Sequence, residues 1–558
     1  ELRIKDFLNQ FISADSRQGY RAELGLQPYN EMYLHSNFEN GVPAGGRIEY
    51  VKLFGLIALF ILLIACINFM NLSTARSIKR AKEVGVRKTM GAFRSYLVSQ
   101  FIGEAMLLTF LAMVLALVFT ALALPYFNII TNKFLTLPLT SISFWYILLL
   151  LLCFTGLTAG LYPAFFLSSL NPVRILKGSL KADPRALLFR KALVVFQFVL
   201  VIAFASGMII ITRQVDFMQS KNLGFDRSNL LYVPFQGDLI NKYEVFKQLL
   251  SERPGIQAVS RSTNAPSHIN THEYDLSWEG KSPDERTSII HNGVGYEFIT
   301  MMQIPLLEGR NFSKNFISDT TAFLINETAL KLIGYKDPIG KPLHFRGRDG
   351  TIIGVVKDFH LNSLRDRIKP LVMFLGEHAT WGYVLVKTLP GETQEAIASI
   401  ESVFKQVEPE FPARYYFADD EFQKLYSGER TVRALASSFS ILAVFISCLG
   451  LLGLTLFTIE QRRKEIGIRK VIGASVASII NMLSTDIVKL VMAASLVATP
   501  VAWFAMEKWL SQFAYQIDLS WWLFLVPILL TLFIALATTG FQAARAALTN
   551  PVNSLKSE

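Results

Sequence analysis

The apolar residues of this chain gather in runs about 20 residues long that carry little or no charge, the length a helix needs to cross a bilayer. Such runs lie at 53–72, 97–124, 143–162, 192–212, 434–459, 483–506 and 521–541. The clearest, LFGLIALFILLIACINFMNL from Leu53 to Leu72, has no charged residue. Between Arg213 and Arg433 the pattern changes and no such run occurs. LLYVPF (230–235), a helix at 240–252 and a strand at 257–263 form one βαβ-like piece. YVLVKT (383–388), a helix at 394–407 and a strand at 413–418 form another. They flank an insertion at about 265–380 that is rich in short strands such as TIIGVV. The pattern predicts a polytopic α-helical membrane protein, about seven spans in this fragment, bearing a split α/β module with an inserted subdomain.

Charge orients the spans, because basic residues near span ends stay in the cytoplasm. Loop 73–96 carries Arg76, Lys79, Arg80, Lys82, Arg87, Lys88 and Arg94 against Glu83. Loop 163–191 carries Arg174, Lys177, Lys181, Arg185, Arg190 and Lys191 against Asp183. Loop 460–482 carries Arg462, Arg463, Lys464, Arg469 and Lys470 against two glutamates. The alternate loops, 125–142 and 507–520, hold one basic residue each. Residues 1–52 and 213–433 are therefore expected outside, making the α/β domain extracytoplasmic, with the C-terminus inside. Residues 213–433 hold 26 basic and 28 acidic side chains, so the net charge of +11 resides in the cytoplasmic loops. No basic face with interleaved aromatics occurs, which argues against nucleic acid. A mean hydropathy of +0.36 also exceeds what a water-covered surface allows. Cys66, Cys153 and Cys448 lie in apolar runs without metal-site spacing, so packing is their expected role.

The two halves of the chain repeat each other. Residues 80–92 read RAKEVGVRKTMGA and residues 462–474 read RRKEIGIRKVIGA, identical at eight of thirteen positions at an offset of 382. The same offset places Cys66 on Cys448 and Glu104 on Asp486, while Asn171-Pro172-Val173 matches Asn550-Pro551-Val552. Five segments are expected: 1–52, the end of a first outer domain; 53–191, a three-span permease domain; 192–212, a span; 213–433, a second outer domain; and 434–558, a second three-span domain. The counterpart of span 192–212 should precede Glu1, so the chain is read as a fragment of a larger protein.

Within the repeated motif, Glu83 and Arg87 are four apart, as are Glu465 and Arg469, so each pair meets on one helical face. Lys88 and Lys470 extend the cationic surface. Gly85, Gly91, Gly467 and Gly473 allow close backbone approach or a helix end. A short cationic helix at the membrane surface suits docking against another protein. A lipid anchor with snorkelling lysines would need no fixed Glu-x-Gly-x-Arg-Lys order, yet that order occurs in both copies. Glu104 and Asp486, in apolar surroundings near span ends, are candidates for an intramembrane relay or for interfacial positioning.

The segments IACINFMNLSTARSIKRAKEVGVRKTMGA, EQRRKEIGIRKVIGAS and the terminal NPV resemble the FtsX-like permease family. GYEFITMMQIPLLEGRNF (295–312), FLINETALKLIG (323–334), DPIGKPL (337–343) and IIGVVKDFHLNSL (352–364) resemble the outer domain of macrolide-exporter-type permeases. The resemblance implies the permease of an ABC transporter of the tandem, eight-span kind, in a Gram-negative inner membrane. It implies a cytoplasmic ABC ATPase dimer as partner, with ATP hydrolysis on that subunit, and a periplasmic adaptor and outer-membrane channel as further partners. The cytoplasmic loops would receive the power stroke and the spans would relay it to the outer domains, without a transmembrane substrate tunnel. Drug or peptide export, lipoprotein release and control of cell-wall hydrolases remain open as roles.

Other constellations are weaker. Between Gly334 and Gly340 there are five residues, and Pro342 follows Lys341; a phosphate loop needs four, then Ser or Thr. His268 and His272 have helical metal-site spacing, but NAPSHINTHEYD reads as a loop, so no metal or cofactor site is expected. A secondary transporter would need broken helices and midplane polar groups, of which the spans show little, apart from Gln197 and Pro527. A signalling receptor would need a cytoplasmic catalytic domain.

Overall fold

A computed structural model describes residues 26–36, 38–39, 42–43, 46–79, 81–169, 184–269, 271–282, 287–377 and 379–548. Among these, two compact units are present. One is built on Gln214–Arg430 and Leu510–Ile517, the other on Gln27–Arg213, Thr431–Trp509 and the residues from Asp518 onward.

The chain enters through a short antiparallel pair, β1 (Phe38–Glu39) and β2 (Val42–Pro43). Five helices follow: α1 (Arg47–Lys79), α2 (Ala81–Thr89), α3 (Arg94–Thr131), α4 (Ile142–Ser169) and α5 (Pro184–Ser220). After the α/β unit come α11 (Ser427–Gln461), α12 (Arg463–Val471), α13 (Val476–Leu510) and α14 (Trp522–Leu548). Seven of these helices are long and apolar enough to cross a membrane. They overrun the apolar runs; α3 has 38 residues, about 57 Å of helix at 1.5 Å per residue. A polar end costs a helix nothing once it leaves the hydrocarbon, since its hydrogen bonds are internal.

In the helical unit, α3 and α4 approach closely at small residues. A Cβ added at Gly160 would stand 2.8 Å from that of Ala105, and one at Gly156 2.2 Å from the Met106 sulfur. The two sequence halves meet where α1 crosses α11. Asn68, 5% exposed, donates from Nδ2 to the carbonyl of Ile446. Gly450 faces the same amide and Gly453 faces Leu72. Helix α5 is the most enclosed span: 67% of its apolar window is buried, against none of that of α3. Its Val194, Phe198 and Ile202 pack with Leu451 of α11, Ile487 and Val491 of α13 and Ala535 of α14. Helix α3 instead displays Leu107, Leu111, Leu115 and Leu122, an apolar surface that lipid covers at no cost.

The α/β unit starts with β3 (Leu230–Pro234), α6 (Tyr243–Ser251) and β4 (Ile256–Ser262). It ends with β13 (Tyr383–Thr388), α9 (Thr393–Val407), β14 (Tyr416–Phe417) and α10 (Ala418–Leu425). The strands lie in the order β14-β3-β13-β4, all antiparallel to their neighbours, the arrangement of a ferredoxin-like split βαβ. Strand alternation decides the layers. Val384 and Val386 face α6 and α9, meeting Phe246, Leu250, Ile400 and Phe404. Leu385 faces the opposite cluster with Leu230 and Tyr232.

The inserted segment extends this sheet. It contributes β5 (His272–Glu273), β6 (Leu276–Trp278), β7 (Ile289–Val294), α7 (Phe298–Met301), β8 (Leu306–Gly309), β9 (Phe323–Asn326), α8 (Glu327–Ile333), β10 (Pro342–Phe345), β11 (Arg348–Val356) and β12 (Leu371–Leu375). The order continues β4-β7-β12-β9-β11-β10-β6. The β4–β7 junction rests on the single pairing of Ser262 with Val294. The connection 510–517, between α13 and α14, is bound into the α/β unit. Gln214 donates to Tyr515 O at 2.9 Å and accepts from Ile517 N–H at 3.0 Å. The Ala514 N–H donates to Arg365 O at 3.0 Å, and the Arg365 guanidinium pairs with Glu429 at 2.6 Å.

Candidate coupling site

The repeated motif forms α2 and α12, each a 9-residue helix lying between two spans. Both end the same way. Gly91 and Gly473 each have φ of 93°, a conformation that costs glycine little. Ala92 N–H donates to Arg87 O at 3.0 Å and Gly91 N–H to Lys88 O at 3.1 Å. Ala474 N–H donates to Arg469 O at 2.9 Å and Gly473 N–H to Lys470 O at 3.1 Å. These are two matching Schellman ends. Gly85 lies inside α2; Gly467, inside α12, is buried.

Each helix is seated by one apolar side chain. Val84 of α2 is buried with Leu97, Phe101 and Ala164. Ile466 of α12 is buried with Ile479, Leu483 and Ala543. The first three pairs differ by 382 residues; Ala164 and Ala543 differ by 379, the offset that also relates Asn171 to Asn550. The NPV segments themselves lie outside the described residues.

On the outer side, Arg87 pairs with Glu83 at 2.7 Å and Arg469 with Glu465 at 2.8 Å. All four side chains are 43–50% exposed, so neither pair contributes much to folding. Burial, with Arg94 nearby, holds the Lys88 ammonium below the usual lysine range; Lys470 is half-buried. Sequence reasoning missed two apolar positions. Val86 and Met90 are 44% and 84% exposed, and their counterparts Ile468 and Ile472 50% and 79%. Their four-residue spacing and equal offset were a legible signal, but only the structure shows that they point away from the seat.

Glu104 and Asp486 are both joined to the repeated-motif segments, by different routes. Gln100 donates to Glu104 at 3.2 Å and receives Arg87 Nη1 at 3.0 Å. In the second copy Met482 stands where Gln100 does, and Asp486 pairs instead with Arg462 at 3.1 Å. Arg462 is the N-cap residue of α12. The nearest cation in sequence, Lys489, is not the one brought to Asp486.

Gly334 and Gly340 serve turns: both have positive φ, 80° and 79°, and Gly334 closes α8. His272 sits in β5, its Nδ1 3.0 Å from Ser288 Oγ. Among the described residues no group of three or more His, Cys, Asp or Glu has metal-site geometry.

The model of the FtsX-like permease C-terminal family matches residues 55–172 and again 437–551. The MacB-like periplasmic core domain matches residues 192–403. The chain belongs to the MacB-type FtsX-like permeases. Its relatives include the macrolide export ATP-binding/permease protein MacB of Neisseria meningitidis, 24% identical over 47% of this chain and 42% of that protein. The MacB of Chromobacterium violaceum is 23% identical over 50% of this chain and 44% of that protein. The chain spans somewhat less than half the length of these curated relatives. Solved structures similar to it include the periplasmic region of MacB from Actinobacillus actinomycetemcomitans, at 19% identity and TM-score 0.28, covering 37% of this chain and 97% of that one. Another is the extracellular domain of the noncanonic ABC-type transporter YknZ from Gram-positive bacteria, at 19% identity and TM-score 0.24, covering 33% of this chain and 96% of that one.

Proposed function

We propose that this permease relays ATPase-driven motion across the inner membrane, with α2 and α12 each receiving one subunit of a cytoplasmic ABC ATPase dimer. The observation that carries this reading is the equal seating of the two helices: Val84 on Leu97, Phe101 and Ala164, and Ile466 on Ile479, Leu483 and Ala543. ABC ATPases act as pairs, and a pseudo-symmetric partner must offer each subunit the same contact. The exposed Val86–Met90 and Ile468–Ile472 pairs, beside Arg87 and Arg469, supply an apolar and cationic docking surface. The relatives' names, which join ATP binding to a permease, support such a partner. Helices α5, α11 and α13 contribute residues to both compact units, and a continuous helix passes on a displacement that a flexible loop would absorb. In this reading the α/β unit is periplasmic, the C-terminus cytoplasmic, and the exported substrate a drug, peptide or lipid-linked molecule. A periplasmic adaptor and an outer-membrane channel would complete the path.

The test is pull-down of the cognate ATPase and stimulated hydrolysis in nanodiscs. Arg87→Glu and Arg469→Glu should weaken both, the double reversal most. Each exposed Glu–Arg pair contributes only ~0.3–0.5 kcal/mol, so the membrane part should stay folded. Wild-type assembly and coupling in the double reversal would defeat the assignment.

A further inference from the structure

Helices α1 and α11 are equivalent elements of the two sequence halves, related by the offset of 382. At that offset Ile64 matches Ile446, Cys66 matches Cys448 and Leu72 matches Leu454, all identical pairs. Two positions among them differ, and in the same way: Asn68 matches Gly450 and Asn71 matches Gly453. The structure brings the first of these pairs face to face. A Cβ added at Gly450 would meet Oδ1, Cγ and Nδ2 of Asn68 at 1.9, 2.6 and 3.0 Å. A Cβ added at Gly453 would stand 2.8 Å from a Leu72 methyl carbon.

Equivalent positions of two helices meet where a two-fold axis, here a local one, runs between them. Two asparagines at such a point would need the same space. Two glycines would leave it empty at this helix separation. The chain avoids both by placing the amide on one side only. Asn68 Nδ2 donates to the carbonyl of Ile446. The two-fold counterpart of that bond would run from position 450 to the carbonyl of Ile64, the equivalent of Ile446, and glycine has no side chain to make it.

The amides are also incompletely used. Asn68 and Asn71 are 5% and 3% exposed, and Asn68 Oδ1 and Asn71 Nδ2 have no hydrogen-bond partner. Buried polar atoms left unpaired lower stability. A single buried asparagine in a coiled coil has the same drawback, and there it sets register and partner. Asparagine on one half against glycine on the other follows that logic.

We propose that the two halves of this chain pair about a local two-fold axis between Asn68 and Gly450, and that the asparagine–glycine difference fixes the partner. A first half takes a second half and not another copy of itself. One chain then closes the seam alone, and a second copy has no place at it. The inference concerns the helical unit and holds whether or not α2 and α12 receive an ATPase.

The test is a reciprocal swap in the full chain, purified in detergent. Asn68→Gly and Gly450→Asn should each lower the melting temperature, the first by emptying the contact and the second by crowding it. The double variant again has one amide and one glycine, with sides exchanged, and the amide at position 450 reaches the Ile64 carbonyl. It should recover most of the larger loss. A double variant no more stable than the weaker single one would overturn the axis. Crosslinking keeps the test open if Gly450→Asn fails to fold. With Cys66, Cys153 and Cys448 replaced by alanine, Asn68→Cys together with Gly450→Cys should close a disulfide within one chain on oxidation. Asn68→Cys alone should give no crosslinked dimer. Absence of the bond within the chain, or a dimer from either variant, would overturn the assigned partner.

Discussion

His360 stands edge-on to Tyr515, their ring centroids 4.6 Å apart at 86°. The Lys221 ammonium lies 3.7 Å from the centroid of the same tyrosine. Burial first, then the Lys221 charge, pushes the His360 imidazole down from 6.5 to about 4. The folded state therefore holds this histidine neutral where the unfolded chain would protonate it. Between pH 6.5 and about 4 the unfolded state binds more protons, so stability falls as pH falls through that window. Burial depresses His291 to about 4 as well, and it acts in the same direction. The melting temperature of the purified chain should drop on acidification from pH 7 to pH 5, and His360→Gln should flatten that dependence. A wild-type slope in the variant would contradict the neutral, buried histidine.

Gln214 holds the same connection through its amide, with one bond given to Tyr515 O and one taken from Ile517 N–H. Gln214 is fully buried, so Gln214→Leu leaves backbone groups unpaired at a cost of about 1–3 kcal/mol each. Limited proteolysis should then cut within 510–517 faster than in wild type. Equal cutting rates would show that the amide does not secure the connection.

Where the physics is local, the sequence was readable. The spans follow from apolar runs, and α6 and α9 follow from stripes such as Tyr243, Phe246 and Leu250. Helices α2 and α12 were legible because two copies of one pattern repeat at a fixed offset. The binding of 510–517 was not, because Gln214 and Tyr515 are 301 residues apart and neither differs locally from an ordinary interfacial residue. Asp486 shows the same limit: the sequence offers Lys489 one turn away, and the helix turn before α12 delivers Arg462 instead.

The crossing of α1 with α11 should be intolerant of bulk at Gly450. A Cβ there would stand 1.9 Å from Asn68 Oδ1, so Gly450→Val must displace Asn68 and its bond to Ile446. Interhelical hydrogen bonds in membranes are worth only about 0.6 kcal/mol on average, so most of the loss comes from separating the helix backbones. The variant should give a lower yield of monodisperse protein and a lower melting temperature. Gly540, where no atom lies within 4 Å of an added Cβ, supplies the control: Gly540→Ala should behave as wild type in the same assays.

The ends of α2 and α12 allow the sharpest test of coupling. Nothing lies within 4 Å of a Cβ added at Gly91 or Gly473, so an alanine there meets no neighbour and acts only through φ. At 93° a side chain costs about 1–2 kcal/mol, too little to unfold the bundle but enough to reshape a Schellman end. That end fixes where the chain leaves toward α3 and α13, the spans that follow. Gly91→Ala and Gly473→Ala should therefore leave expression and melting near wild type while lowering ATPase stimulation, and the double variant should lower it further. Asparagine tolerates left-handed backbone better than alanine, so Gly91→Asn and Gly473→Asn should retain more stimulation than the alanines. If alanine and asparagine behave alike, or if the alanine pair stimulates hydrolysis as wild type does, the helix-end geometry plays no part in transmitting the stroke.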